Sequence, residues 1–171
     1  MILGMSTAIF TLVHVALSLI AMMAGAVVVY GMWEAKHWNA WTALFLATTT
    51  ATTATGFLFH SERFGPAHAV GIISLVVLAL AILALYACRL RGPWRWLYVV
   101  GSLLSFYLNV FVGVVQAFQK LPFLRPLAPT QSEPPFAAAQ LVVMLVFFAL
   151  GVGAVRRFRP ESQARIASDH P

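Results

Sequence analysis

The chain has 171 residues, of which 61% are hydrophobic and only 9% charged, and its mean hydropathy is +0.86. Soluble domains carry charge on about a quarter of their residues, so this composition excludes a cytosolic globule and a disordered tail. Lys and Arg outnumber Asp and Glu by 11 to 5, yet the basic residues are scattered among connectors and a tail. They lack the aromatic-studded basic face of a nucleic-acid reader. The single cysteine, Cys88, excludes an internal disulfide and a cysteine-only metal site.

A hydrocarbon layer about 30 Å thick is crossed by roughly 20 apolar helical residues. Five stretches approach or exceed that length without one Asp, Glu, Lys or Arg: 7–31, 41–59, 67–88, 97–118 and 136–155. Each is expected to be helical, because backbone groups in lipid have no water to bond. The fold class expected is therefore all-α, an integral membrane bundle of five helices forming a single domain over 1–159, with a disordered cytoplasmic tail at 160–171. The first stretch follows a short neutral start and reads as a retained helix rather than a signal peptide. In the second, Thr48, Thr49, Thr50, Thr52, Thr53 and Thr55 crowd together. A threonine hydroxyl can bond the carbonyl one turn earlier, which softens its burial.

Connectors 32–40, 60–66 and 89–96 are short, so sequential helices are expected to pack antiparallel. The longer connector 119–135 holds Pro122, Pro126, Pro129, Pro134 and Pro135 and is predicted to be stiff and extended across one face of the bundle. With five spans, Lys36, Arg89, Arg91, Arg95, Arg156, Arg157, Arg159 and Arg165 share one side; Arg63, Lys120 and Arg125 share the other. The positive-inside rule puts the first set in the cytoplasm and the amino terminus in the periplasm of a bacterium. Trp33, Trp38, Trp41, Trp94, Trp96 and Tyr98 read as an aromatic belt at the cytoplasmic boundary.

Under this topology His14, His60 and His68 fall in the periplasmic half, and His37 and His170 do not. His60 lies on one face of the second helix with Gly56, Thr53 and Thr49. Ser102, Ser105, Asn109, Gly113, Gln116 and Lys120 recur every three or four residues as a polar or small stripe on the fourth. Amides facing lipid are costly, so the stripe must face protein or a cavity. Gln140 can join Asn109 and Gln116, and Glu62 and Glu133 cap the cluster from the loops. Interhelical hydrogen-bond glue explains the amides equally well. A histidine as deep as His14 marks a functional site by default.

Neutral imidazoles in this position serve as axial ligands of haem, ligands of copper or zinc, or hydrogen-bond partners of a quinone. For haem b or another metal centre the pair is His14 and His68, on different helices; for a quinone, Asn109, Gln116 and Gln140 add a hydrogen-bond shell and Glu133 acts as a lid residue. The alternative is a non-catalytic accessory or assembly subunit whose stripe docks on a larger membrane complex or a second copy. No carboxylate lies inside a span, so an Asp or Glu proton relay is excluded. Ser18, one turn from His14, either orients it or bonds its own backbone. Ala21 with Gly25, and Gly151 with Gly153, read as sites of close helix approach.

The stretch YLNVFVGVVQAFQK at 107–120, followed by APTQSEPPF at 128–136, resembles a group of small bacterial inner-membrane proteins. Thr55-Gly56-Phe57 and Pro66-Ala67-His68 are similar to that group as well. The resemblance covers most of the chain and implies a helical inner-membrane protein in which loop 128–136 is characteristic. It carries no activity.

Overall fold

The computed structural model describes residues 4–59 and 65–159, and these form helices joined by short connectors. Helix α1 (Thr7–Trp33) starts at Ser6, whose Oγ accepts the Ile9 N–H at 3.3 Å. That bond satisfies one of the amides a helix start leaves open. Helix α2 is Asn39–Gly56, and α3 is Pro66–Ile82 with Pro66 at its first position, where a missing N–H costs nothing. α3 runs into a π-helical turn, Leu83–Ala87. Helix α4 is Pro93–Lys120, and a 3-10 turn at Arg125–Leu127 precedes α5, Pro134–Arg157.

Four segments are long and apolar enough to cross a membrane: α1, His68–Ala87, α4 and α5. α2 has the length, but its threonines and Asn39 dilute its apolar character. At 1.5 Å per residue, its 18 residues still cover about 27 Å.

α4 is the hub of the bundle, packing against α1, α3 and α5 and touching α2, while α1 and α2 form the most extensive pair. The core holds Phe45, Phe106, Tyr98, Val99, Met32 and Leu78, all buried. Gly25 admits this packing: a Cβ there would stand 2.8 Å from Phe106 Cδ2 and 3.1 Å from Phe45 Cε2. α5 is the least enclosed helix, with Val142, Leu145 and Phe148 exposed on its outer face. Three-residue spacing gives one apolar stripe of the kind that lipid covers.

Boundaries differ from the sequence reading where local chemistry extends a helix. α4 begins at Pro93 rather than 97, because Gly92 turns the chain at φ 55° and Pro93 is preset for the first turn. Trp94, Arg95 and Trp96 therefore belong to the helix. α5 likewise opens on Pro134 and Pro135. The 119–135 connector is folded rather than extended. Leu124 N–H donates to Leu121 O at 3.1 Å and Leu127 N–H to Leu124 O at 3.0 Å, turning the chain back on the end of α4. Pro122 and Pro126 bring a fixed φ near −65° that suits turns as well as extended chain. Tyr98 is fully buried rather than part of an interfacial belt. The tail 160–171, with His170 and Arg165, lies outside the described residues.

Candidate functional site

α1 and α2 bring His14 to the α2 end. His14 Nδ1 lies 2.8 Å from Thr55 Oγ1, and its ring meets Phe59 edge-on at 5.1 Å. The Thr55 hydroxyl donates to Ala51 O at 2.7 Å, shared with Thr52 O at 3.0 Å. With that proton committed to the backbone, Thr55 Oγ1 accepts, and Nδ1–H of His14 donates. The neutral ring then keeps its lone pair on Nε2. Ser18 resolves to its structural role, its Oγ donating to His14 O at 2.9 Å.

His68 is set the opposite way. The Gly65 N–H donates to His68 Nδ1 at 3.2 Å across the first turn of α3, so the neutral ring carries its proton on Nε2. Phe57 stands beside it with ring centroids 6.0 Å apart. One histidine is an acceptor at Nε2 and the other a donor. An iron bond at His68 would require its Nδ1 capping bond or its Nε2 proton to be given up.

The amides engage separate partners. Asn109 Nδ2 donates to Thr49 Oγ1 at 3.3 Å, joining α4 to α2. Gln140 Nε2 donates to Phe111 O at 3.2 Å, while its Oε1 is buried without a protein partner. Gln116 is exposed. Glu133 caps the turn before α5, accepting from Thr130 N at 3.1 Å, Thr130 Oγ1 at 2.9 Å and Ser132 N at 3.1 Å. Partial burial pulls its carboxyl up, and these hydrogen bonds outweigh it, holding the group below the usual carboxylate value. His60 and Glu62 lie outside the described residues. Among the described residues no three His, Cys, Asp or Glu side chains come together as metal ligands.

Two open concavities lie at the other end of the bundle. One, of about 640 Å³, is lined by Val27, Tyr30, Trp38 and Trp41 as well as by His37 and Asn39. The second, of about 490 Å³, shares His37 and Asn39 and adds Tyr86 and Arg89. His37 Nε2 is buried there without a partner, its ring 5.9 Å from Tyr98 and 6.3 Å from Phe158. Burial lowers its pKa below 6.5, and a hydrogen bond with Asn39 partly opposes this. His37 falls outside the histidine set expected from the sequence. The signal was its position in WEAKHWN, where tryptophans flank polar residues at a helix junction.

The chain matches no protein-family model, no curated protein and no solved structure.

Proposed function

We propose that the protein is a five-span bacterial inner-membrane protein whose amino-terminal end holds a quinone-type ligand between His14 and His68. The opposite tautomers of the two rings carry this reading. His14 Nε2 accepts from a hydroxyl of the reduced, quinol form and His68 Nε2–H donates to a carbonyl of the oxidised form. Gln140 Oε1 offers a second acceptor, Asn109 and Gln116 extend the hydrogen-bond shell, His60 is the alternate donor, and Glu133 closes the site from its turn. A quinone supplies two-electron, two-proton chemistry when bound; the chain's part is to orient it and exclude water.

α2 serves as the fifth span because four of its threonine hydroxyls are provided for, while Thr52 Oγ1 is buried without a partner. Thr48, Thr50, Thr53 and Thr55 bond carbonyls one turn back, at 2.7–2.9 Å. Thr42 and Thr49 are buried against neighbouring helices. Five spans place the amino terminus in the periplasm and the basic α5 end in the cytoplasm. A periplasm-dependent reporter fused after Arg159 should be silent, and the same reporter in loop 128–133 active; the reverse pattern inverts the orientation.

The ligand reading is tested by titrating purified protein with a short-chain benzoquinol, whose hydroxyl can donate to His14 Nε2, by calorimetry. His14→Ala should weaken binding by about tenfold or more, the worth of one buried hydrogen bond left unmade. Thr55→Val, which removes only the partner that fixes the tautomer, should weaken it less. Absence of binding, or binding indifferent to both changes, sinks the proposal and favours the accessory-subunit reading, in which the amides serve as helix glue. A Soret band lost on His14→Ala replaces quinone with haem.

A further inference from the structure

We infer that the cleft between the start of α2 and the end of α3 binds the phosphate-bearing headgroup of an anionic phospholipid, with Arg89 as its cationic contact and Asn39 as a hydrogen-bond donor. The inference is independent of the ligand at the His14 end.

Local structure presents Arg89 to the cleft. The π-helical turn Leu83–Ala87 closes with Cys88 N–H on Leu83 O at 3.0 Å, and Leu90 N–H reaches back to Ala84 O, also at 3.0 Å. Arg89 and Leu90 both take left-handed φ, 49° and 57°. Non-glycine residues adopt such values where the surroundings over-determine them. Leu90 is buried and anchors the turn, while Arg89 joins His37, Asn39 and Tyr86 in lining the cavity of about 490 Å³. π-helical turns of this kind recur at functional positions.

The lining has the chemistry of an anion site with a lipid attached. Arg89 supplies positive charge, Asn39 and Tyr86 supply donors, and no acidic side chain takes part. α2 begins at this cleft with no side-chain cap on its first turn, so its amides and dipole add positive potential. Ala43 and Leu85 form the apolar remainder of the wall, which a free phosphate ion has no use for and an acyl chain does. On the other side of the α2 start, Tyr30, Trp38 and Trp41 line the companion cavity. Aromatic rings of this kind settle at headgroup depth.

The test is native mass spectrometry of delipidated, detergent-solubilised protein titrated with phosphatidylglycerol, with phosphatidylcholine and inorganic phosphate as separate arms. Phosphatidylglycerol should bind and phosphatidylcholine should not. Arg89→Gln should weaken binding about tenfold, the worth of one charge-assisted hydrogen bond, and Asn39→Ala should weaken it by a smaller factor. Arg125→Gln, at the opposite end, should leave it unchanged. Wild-type binding by Arg89→Gln with unaltered circular dichroism overturns the inference. So does equal binding of phosphatidylcholine, or displacement of the lipid by inorganic phosphate at equal concentration. Should Arg89→Gln fail to fold, wild-type binding by Asn39→Ala overturns it.

Discussion

Phe158→Ala should destabilise the protein by about 3 kcal/mol or more, the cost of emptying a fully buried phenylalanine site. Phe158 follows the last residue of α5 and is 0% exposed. Its ring packs against Tyr98 at 5.9 Å and His37 at 6.3 Å, and its carbonyl accepts from Arg95 Nη1, which also reaches Val155 O at 3.3 Å. One side chain thereby fastens the end of α5 to the start of α4 and the 34–38 connector. Thermal unfolding in detergent measures the loss, at roughly 2–4 °C per kcal/mol for a chain of this size.

The same substitution has a pH signature. His37 is held below its ordinary value of 6.5 by burial, so the folded state resists taking up a proton that the unfolded chain accepts. Stability therefore declines as pH falls from about 6.5 toward the lowered folded value, and is unaffected by this group above 6.5. Removing the Phe158 ring opens His37 to water and should flatten that decline. Stability of the two proteins measured between pH 5 and 8 decides it; parallel curves contradict the assignment.

Gly153→Val should cost about 2–3 kcal/mol, and Gly151→Ala nothing. A Cβ on Gly153 would lie 2.6 Å from Trp33 Cε2 and 2.9 Å from Cη2. Trp33 has nowhere to retreat: its Nε1 donates to Leu150 O at 3.1 Å and the Arg157 guanidinium lies 4.8 Å above its ring. Overpacking a fixed ring costs about 1–3 kcal/mol, and displacing it forfeits the indole hydrogen bond as well. At Gly151 the nearest atom to an added Cβ is Leu103 Cδ1 at 3.8 Å. Alanine there meets ordinary contact and gains up to about 1 kcal/mol of helix propensity. Equal melting temperatures for the two variants would remove Trp33 as the reason for the glycine.

Hydropathy locates four of the helices, because a run of uncharged apolar residues in lipid has one available backbone structure, and the absence of charge marks α2. The start of α4 is legible too, in Gly92-Pro93, a turn residue followed by one preset for a helix's first turn. The π-helical turn is not, since nothing in LALYA distinguishes it from the helix before it. Its closure on Leu90 depends on a buried contact outside the segment. At the candidate site, His14 was legible as a histidine deep in an apolar run, but its partner was not. Threonines ring α2, so sequence could not tell which one faces α1; the pairing with Thr55 comes from the way the two helices are turned toward each other. Gly151 and Gly153 looked equivalent, and only the position of Trp33 separates them.

The bond from Trp33 Nε1 to Leu150 O joins residues 117 positions apart in sequence. During synthesis the first helix is in the bilayer long before α5 exists, and its indole donor has no α5 carbonyl to meet until the final helix arrives. A chain halted before α5 leaves this indole donor without its acceptor. The α1–α5 seam is thereby a contact that only a chain carrying both helices can make.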